Sequence, residues 1–199
     1  MITVSDQKLK EKYNNEVLAA LKQEFGYKND LAVPRLDKIV VNTGFGRLSD
    51  KIKSEDQFKK TQESIEKDLA IVTGLKPSLR KARKSVAGFR LRKGDPIGYT
   101  VTLRRNHMYD FLDRVIKLAL PRTRDFRGID LKSMDGRGNL TIGFSDQTVF
   151  PEISTEEERM LFGLEAVIVT TAKTNEEGLR LLTLLGVPFR SDSDKKELS

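Results

Sequence analysis

The chain has no cysteine, no tryptophan and a single histidine, and only 7% of its 199 residues are aromatic. Without cysteine there is no disulfide framework, no thiol nucleophile and no Cys-ligated zinc or iron–sulfur site. The lone His107 excludes a His-rich metal centre. It sits in Arg104-Arg105-Asn106-His107-Met108, where a helix is expected to start, and reads as an exposed or capping residue rather than a catalytic base. Long apolar runs are also missing. The stretch around Val167–Val169 falls far short of the roughly 18 residues a membrane span needs. The opening MITVSDQKLK has no apolar core followed by a small-residue cleavage site, so a cytosolic product with no membrane partner is expected.

Charge is what the sequence has in excess. Asp, Glu, Lys and Arg make up 33% of the chain, and 36 Lys/Arg against 29 Asp/Glu leave a net +7. An ordinary globular domain is about one-quarter charged. The distribution is more informative than the total. Lys76–Lys132 holds 16 Lys/Arg and 5 Asp/Glu, a net +11, whereas the remainder holds 20 and 24, a net −4. Within that block, Arg80–Arg105 carries nine cations (Arg80, Lys81, Arg83, Lys84, Arg90, Arg92, Lys93, Arg104, Arg105) against Asp95 alone. A charge run is often no more than a solvated face. A phosphate-binding surface explains this density better, because phosphates relieve the mutual repulsion and release counterions on binding.

The length suits one domain, taken as residues 1–190, with the basic protruding loop within 76–105 and a disordered polar tail over 191–199. An amphipathic helix is expected from Asp6 to Phe25, with Leu9, Tyr13, Leu18, Leu21 and Phe25 inward and Gly26 as the stop. Lys38–Asn42 reads as a buried strand ending in a Thr43–Gly46 turn. Ser54 with Gln57 forms a capping box for a helix whose apolar stripe is Phe58, Ile65, Leu69 and Val72. Gly74 closes that helix and Pro77 prevents its continuation. Ser78–Ala82 and Pro96–Arg105 read as strands on either side of a basic excursion. Tyr99, Val101 and Leu103 alternate with Thr100, Thr102 and Arg104. Asn106 is expected to cap a third helix with Met108, Phe111, Leu112, Val115, Ile116 and Ala119 inside, ended by Pro121. Strands follow at Leu140–Phe144 and Leu164–Thr171. Thr174 and Glu177 cap a last helix through Leu185, closed by Gly186. This order predicts an α+β fold: a mostly antiparallel sheet with helices packed on one side, like an RNA-recognition fold but without its aromatic motif, and with a long basic loop.

Catalytic constellations fail one by one. Gly44-x-Gly46 has no third glycine and no following GKS or GKT, so a nucleotide-binding loop is unsupported. Glu156–Glu158 and Glu176–Glu177 fall at expected helix starts, where the helix dipole already favours carboxylates. Asp125, Asp130 and Asp135 alternate with Arg124, Arg127 and Arg137 and read as local ion pairs. Phe89 either tucks under its own loop or packs on a nucleotide. Two function classes stand at this point, a non-catalytic RNA-binding protein and a carboxylate-dependent nuclease. Chelator-sensitive RNA cleavage separates them.

The basic block then carries a specific resemblance. Gly74-Leu75-Lys76-Pro77, the run from Lys81-Ala82-Arg83-Lys84-Ser85 to Arg92-Lys93-Gly94, and Pro96-Ile97-Gly98 resemble the bacterial large-subunit ribosomal protein L5 family. So do Val33-Pro34-Arg35-Leu36, Pro121-Arg122 with Arg124-Asp125-Phe126-Arg127-Gly128, Asp135-Gly136-Arg137-Gly138-Asn139, Phe150-Pro151-Glu152-Ile153 and Thr170-Thr171-Ala172-Lys173. The agreement runs in one register from about residue 10 to Arg190. The resemblance implies a structural, non-enzymatic, cofactor-free constituent of the large subunit, cytoplasmic and ribosome-bound. It implies binding to 5S rRNA in the central protuberance and proximity to 23S rRNA and other central-protuberance proteins. It also implies contact with peptidyl-site tRNA through the basic loop and a bridge to the small-subunit head protein S13. Carried over residue by residue, it puts rRNA contacts at Asn42, Lys76, Thr102 and Arg104, and the tRNA-facing loop at Lys81, Arg83, Lys84, Arg90, Arg92 and Lys93. One departure stands out: Leu75 occupies the position where the family usually has Gln.

Overall fold

The computed structural model describes residues 8–45, 54–89, 91–124, 126–153 and 160–190. Asp6, Gly46, Arg90, Asp125, Glu156–Glu158 and the 191–199 tail, all singled out in the sequence, lie outside the described residues. The fold is α+β, with a five-stranded antiparallel sheet and four helices. Helix α1 runs through Leu9–Lys12, a π-helical turn at Tyr13–Val17, and Leu18–Phe25. Strand β1 is Leu36–Gly44, helix α2 Glu55–Thr73, strand β2 Ser78–Lys81 and strand β3 Pro96–Leu103. Helix α3 combines Arg105–Arg114, a second π-helical turn at Val115–Ala119, and Leu120–Arg122. Strand β4 is Leu140–Phe144, β5 is Leu164–Thr170 and helix α4 is Asn175–Leu185. The sheet order is β2-β3-β1-β5-β4.

The chain forms two compact units. The first contains residues 1–39, 104–142 and 167–199. Its core is helical: Leu9, Tyr13, Val17 and Leu21 of α1, Met108, Phe111, Leu112 and Val115 of α3, and Leu181, Leu182 and Leu185 of α4 are buried. The four α1 residues recur every fourth position because a π turn is wider than an α turn, so Val17, not the expected Leu18, faces inward. Helix α3 starts at Arg105, with Arg104 rather than the expected Asn106 at its N-cap. Asn106 therefore caps nothing, and its side chain instead accepts a bond from Lys10 Nζ at 3.0 Å. Pro121 lies inside the last helical turn rather than ending it. At α4 the expected cap holds, with Thr174 Oγ1 accepting from the Glu177 amide at 3.3 Å.

The first unit is also fastened through the loop Asp135–Asn139. The Asp135 carboxylate accepts from the Arg137 amide at 2.8 Å, the Asn139 amide at 3.1 Å and Asn139 Nδ2 at 2.6 Å. Burial pushes its pKa up, but these bonds prevail and hold it below the ordinary carboxylate value. Asn139 Oδ1 in turn accepts from the Thr170 amide at 2.9 Å. Gly178 packs on Gly138 so tightly that a Cβ would lie 2.4 Å from the Gly138 Cα.

The second unit contains residues 40–103 and 143–166. Helix α2 contributes Ile65, Leu69 and Val72 to its core, and Phe58 is half-buried. Ser54 occupies the N-cap without a side-chain bond, and Gly74 ends the helix in the left-handed region at φ +70°. Phe45 meets Tyr99 at 5.5 Å with the rings tilted, and Phe58 at 6.0 Å, edge-on. The Gln147 side chain, only 1% exposed, donates to the Met160 carbonyl at 3.0 Å and accepts from the Phe162 amide at 2.9 Å.

Candidate nucleic-acid interface

In the second unit the β2–β3 register pairs Ser78 with Thr100, Leu79 with Tyr99, and Arg80 with Gly98. Side chains alternate across a strand. Tyr99, Val101 and Leu103 therefore share one face and are buried. Tyr99 donates to Glu66 of α2 at 3.3 Å. Burial, reinforced by Glu66, pushes the Tyr99 phenol up to about 12. The opposite face carries Ser78, Arg80, Thr100 and Thr102. Thr102, Ser78 and Arg80 are exposed, whereas Thr100 is 6% exposed. Thr100 Oγ1 donates to Asn42 Oδ1 at 2.6 Å, which places Asn42 of β1 on this same face. Asn42, Ser78, Thr100 and Thr102 make a neutral polar cluster, with the Arg80 cation beside it on the edge strand. The cluster offers hydroxyls and an amide, the groups that recognise 2′-hydroxyls and base edges rather than net charge.

The cations are arranged differently. Beyond β2 and β3 the basic excursion continues as a narrow antiparallel arm. Ala82 N donates to Asp95 O at 2.8 Å and Gly94 N to Ala82 O at 2.9 Å. Further out, Val86 and Leu91 exchange bonds of 2.9 and 3.2 Å before a 3₁₀ turn at Ala87–Phe89. Asp95, the one acid of the arm, is occupied by the backbone, accepting from the Arg92 amide at 2.7 Å. Lys81, Arg83, Lys84, Arg92 and Lys93 are exposed and form no ion pair among the described residues. Five uncompensated cations on a two-stranded support concentrate positive charge, which can attract phosphates.

The remaining two sequence candidates are less free. Lys76 follows the α2 cap with its side chain 87% exposed and lies 3.9 Å from Glu66. Arg104 belongs to the first unit, 3.7 Å from Asp37. Both contacts are long and exposed, the kind of ion pair a phosphate displaces at little cost. Leu75 is half-buried, and its carbonyl accepts from Thr73 Oγ1 at 3.2 Å. The structure thus sets Asn42 and Thr102 on one face with a third residue, Thr100, that the sequence does not single out as part of a site. Its signal is the period-two strand, in which Thr100 stands two positions from Thr102.

His107 is exposed. Among the described residues no group of three or more His, Asp or Glu side chains could hold a metal ion, and no helix is long and apolar enough to cross a membrane.

Comparison with known proteins gives the setting. Residues 29–92 match the family described as Ribosomal protein L5, and residues 96–189 match the C-terminal part of the ribosomal L5 family. The chain is 52% identical over 182 residues to the large ribosomal subunit protein uL5 of Dictyoglomus turgidum, covering 92% of this chain and 98% of that protein. It is 50% identical to the protein of the same name from Streptococcus thermophilus, covering 92% of this chain and 97% of the relative. This is a structural protein of the large ribosomal subunit, not an enzyme, and it is ribosome-bound in the cytoplasm. The chain belongs to the ribosomal protein L5 family, and binding to ribosomal RNA is implied by that membership.

Proposed function

We propose that the chain binds 5S rRNA through the polar face of β1 and β3 and reaches the peptidyl-site tRNA with the basic arm. Residues 1–190 act as one RNA-binding domain within the central protuberance. 23S rRNA and other central-protuberance proteins lie beside it, and the small-subunit protein S13 meets it in a bridge between subunits. Asn42 and Thr102 supply neutral, shape-selective hydrogen bonds, while Lys76 and Arg104 neighbour phosphates. Lys81, Arg83, Lys84, Arg90, Arg92 and Lys93 provide the salt-dependent attraction of the arm.

The observation that supports this reading most is the separation of two chemistries within one unit. The neutral cluster of Asn42, Thr100 and Thr102 lies on the sheet, whereas the unpaired cations Arg83, Lys84, Arg92 and Lys93 lie on the arm, with Lys81 at its base at the end of β2. Neutral contacts discriminate an RNA shape, whereas cations bind any polyanion. The test is to measure affinity for 5S rRNA and for a scrambled RNA of equal length across a salt series. The 5S sequence is expected to keep an advantage at every salt concentration. Equal affinity for both would reduce the interface to non-specific basicity.

A further inference from the structure

We propose that Thr100 determines what Asn42 recognises, by orienting its amide so that the donating Nδ2 is the end presented to RNA. This rests on the reading of Asn42 as a 5S rRNA contact. A carboxamide has one accepting end and one donating end, and a half-buried Asn at an interface offers either, depending on which way it is turned. Here the turn is fixed from behind. The Thr100 hydroxyl lies 2.6 Å from Asn42 Oδ1 in a part-buried bond, and Thr100 as a residue is only 6% exposed. Rotating the amide by half a turn brings Nδ2 against Thr100 Oγ1, which can accept from it, but takes the carboxamide acceptor away from the part-buried hydroxyl proton, and this makes the turned state the less favourable one. The favoured state turns Oδ1 toward Thr100, with one of its two lone pairs engaged there, and turns Nδ2 toward the open face. The group selected on the RNA is therefore a hydrogen-bond acceptor.

The neighbourhood supports the lock. Thr100 is held in register opposite Ser78. Phe45 N donates to Ile97 O at 3.0 Å, which ties the end of β1 to β3. At Gly98 the missing side chain lets β3 approach the Thr43 carbonyl. Thr100 is thus a positioning residue with a defined partner, whereas the exposed Thr102 is free to touch RNA itself.

The test is a cycle of variants in the full chain, with 5S rRNA affinity as one readout and the Asn42 side-chain amide in NMR spectra of the free protein as the other. Thr100→Val keeps the shape and removes the hydroxyl; it is expected to weaken 5S rRNA binding about fivefold. Thr100→Ser keeps the hydroxyl and is expected to stay within about twofold. In an Asn42→Ala background, Thr100→Val is expected to add nothing. An equal loss from Thr100→Val with and without Asn42 would overturn the proposal. In the free protein the Asn42 amide is expected to be rotationally restricted in the parent and in Thr100→Ser, and to lose that restriction in Thr100→Val. An unchanged amide in Thr100→Val also overturns the lock, whatever the RNA result. If Asn42→Ala alone leaves 5S rRNA affinity intact, the reading of Asn42 as a contact has failed, while the amide spectrum still judges the lock on its own.

Discussion

Gly98 and Thr43 approach so closely that a Cβ built on Gly98 would lie 2.3 Å from the Thr43 carbonyl oxygen. No rotamer relieves that clash, because the obstacle is main chain. Gly98→Ala is expected to destabilise the protein by about 1–3 kcal/mol, the usual range for forced overpacking. Gly88→Ala, where a Cβ meets nothing within 4 Å, is expected to stay within about 0.5 kcal/mol. Urea unfolding of the two variants checks the pair. Equal effects would show that β1 and β3 do not pack as closely as described.

The Gln147 side chain clasps the segment entering β5 by two bonds, to Met160 O and from Phe162 N. Gln147→Leu retains volume and abandons both partners, one of them a buried amide. The expected cost is about 2 kcal/mol. Thr61→Ala removes an exposed bond to Gln57 O and serves as the control; a similar midpoint shift for both would remove the clasp from the account.

Tyr27 donates to Glu177 in the first unit, and the pair leaves a signature at both ends of the pH scale. Burial raises the Glu177 pKa, but the Tyr27 bond and the Lys173 and Thr174 amides outweigh it, so its folded value lies below 4.5. A depressed carboxyl contributes stability above its unfolded value and loses it as pH falls through the folded one. Tyr27 is pushed from 10.0 to about 12, by burial first and then by Glu177. A raised phenol contributes stability below its unfolded value and loses it as pH rises through the folded one. The stability gap between the parent and Tyr27→Phe is expected to be widest from pH 4.5 to 10.0 and to narrow on either side. Denaturation at acid, neutral and alkaline pH measures it, and a constant gap contradicts the coupling.

The division between arm and sheet face is open to a direct comparison. Lys84→Ala and Arg92→Ala are expected to weaken tRNA-side contacts and to lower the salt slope by about one each for any RNA the arm touches, while sparing 5S rRNA discrimination. Asn42→Ala and Thr102→Ala are expected to do the reverse. Loss of 5S rRNA binding from the arm variants first would assign the two surfaces the wrong way round.

Much of this architecture is legible in the residues themselves. The alternation of Tyr99, Val101 and Leu103 with Thr100 and Thr102 defines β3 and its two faces, because a strand repeats every two residues and this one is apolar on one side only. Gly74 and Gly186 mark helix ends because both adopt the left-handed conformation there, where glycine carries no steric penalty. What stays hidden depends on tertiary contact. The π turns of α1 and α3 shift the helical period by a fraction of a residue, so that simple helical spacing puts Leu18 in the core where Val17 belongs. Neither the Gly98–Thr43 approach nor the Thr100–Asn42 bond has any local signature, since each joins residues distant in the chain. Site residues are legible as residue types, and their partners are not. Lys76 and Arg104 look like the arm cations in the sequence, yet each has a carboxylate within 4 Å.

Strand β2 ends the sheet, and its register slips between Arg80 and Lys81. A terminal strand is a template on which a second copy of the same protein can add itself and begin an aggregate. Here the slip interrupts the template, and a copy added strand to strand brings its own Arg80 and Lys81 close to these like charges. Charge suited to a polyanion thus also makes this edge a poor template for a second copy.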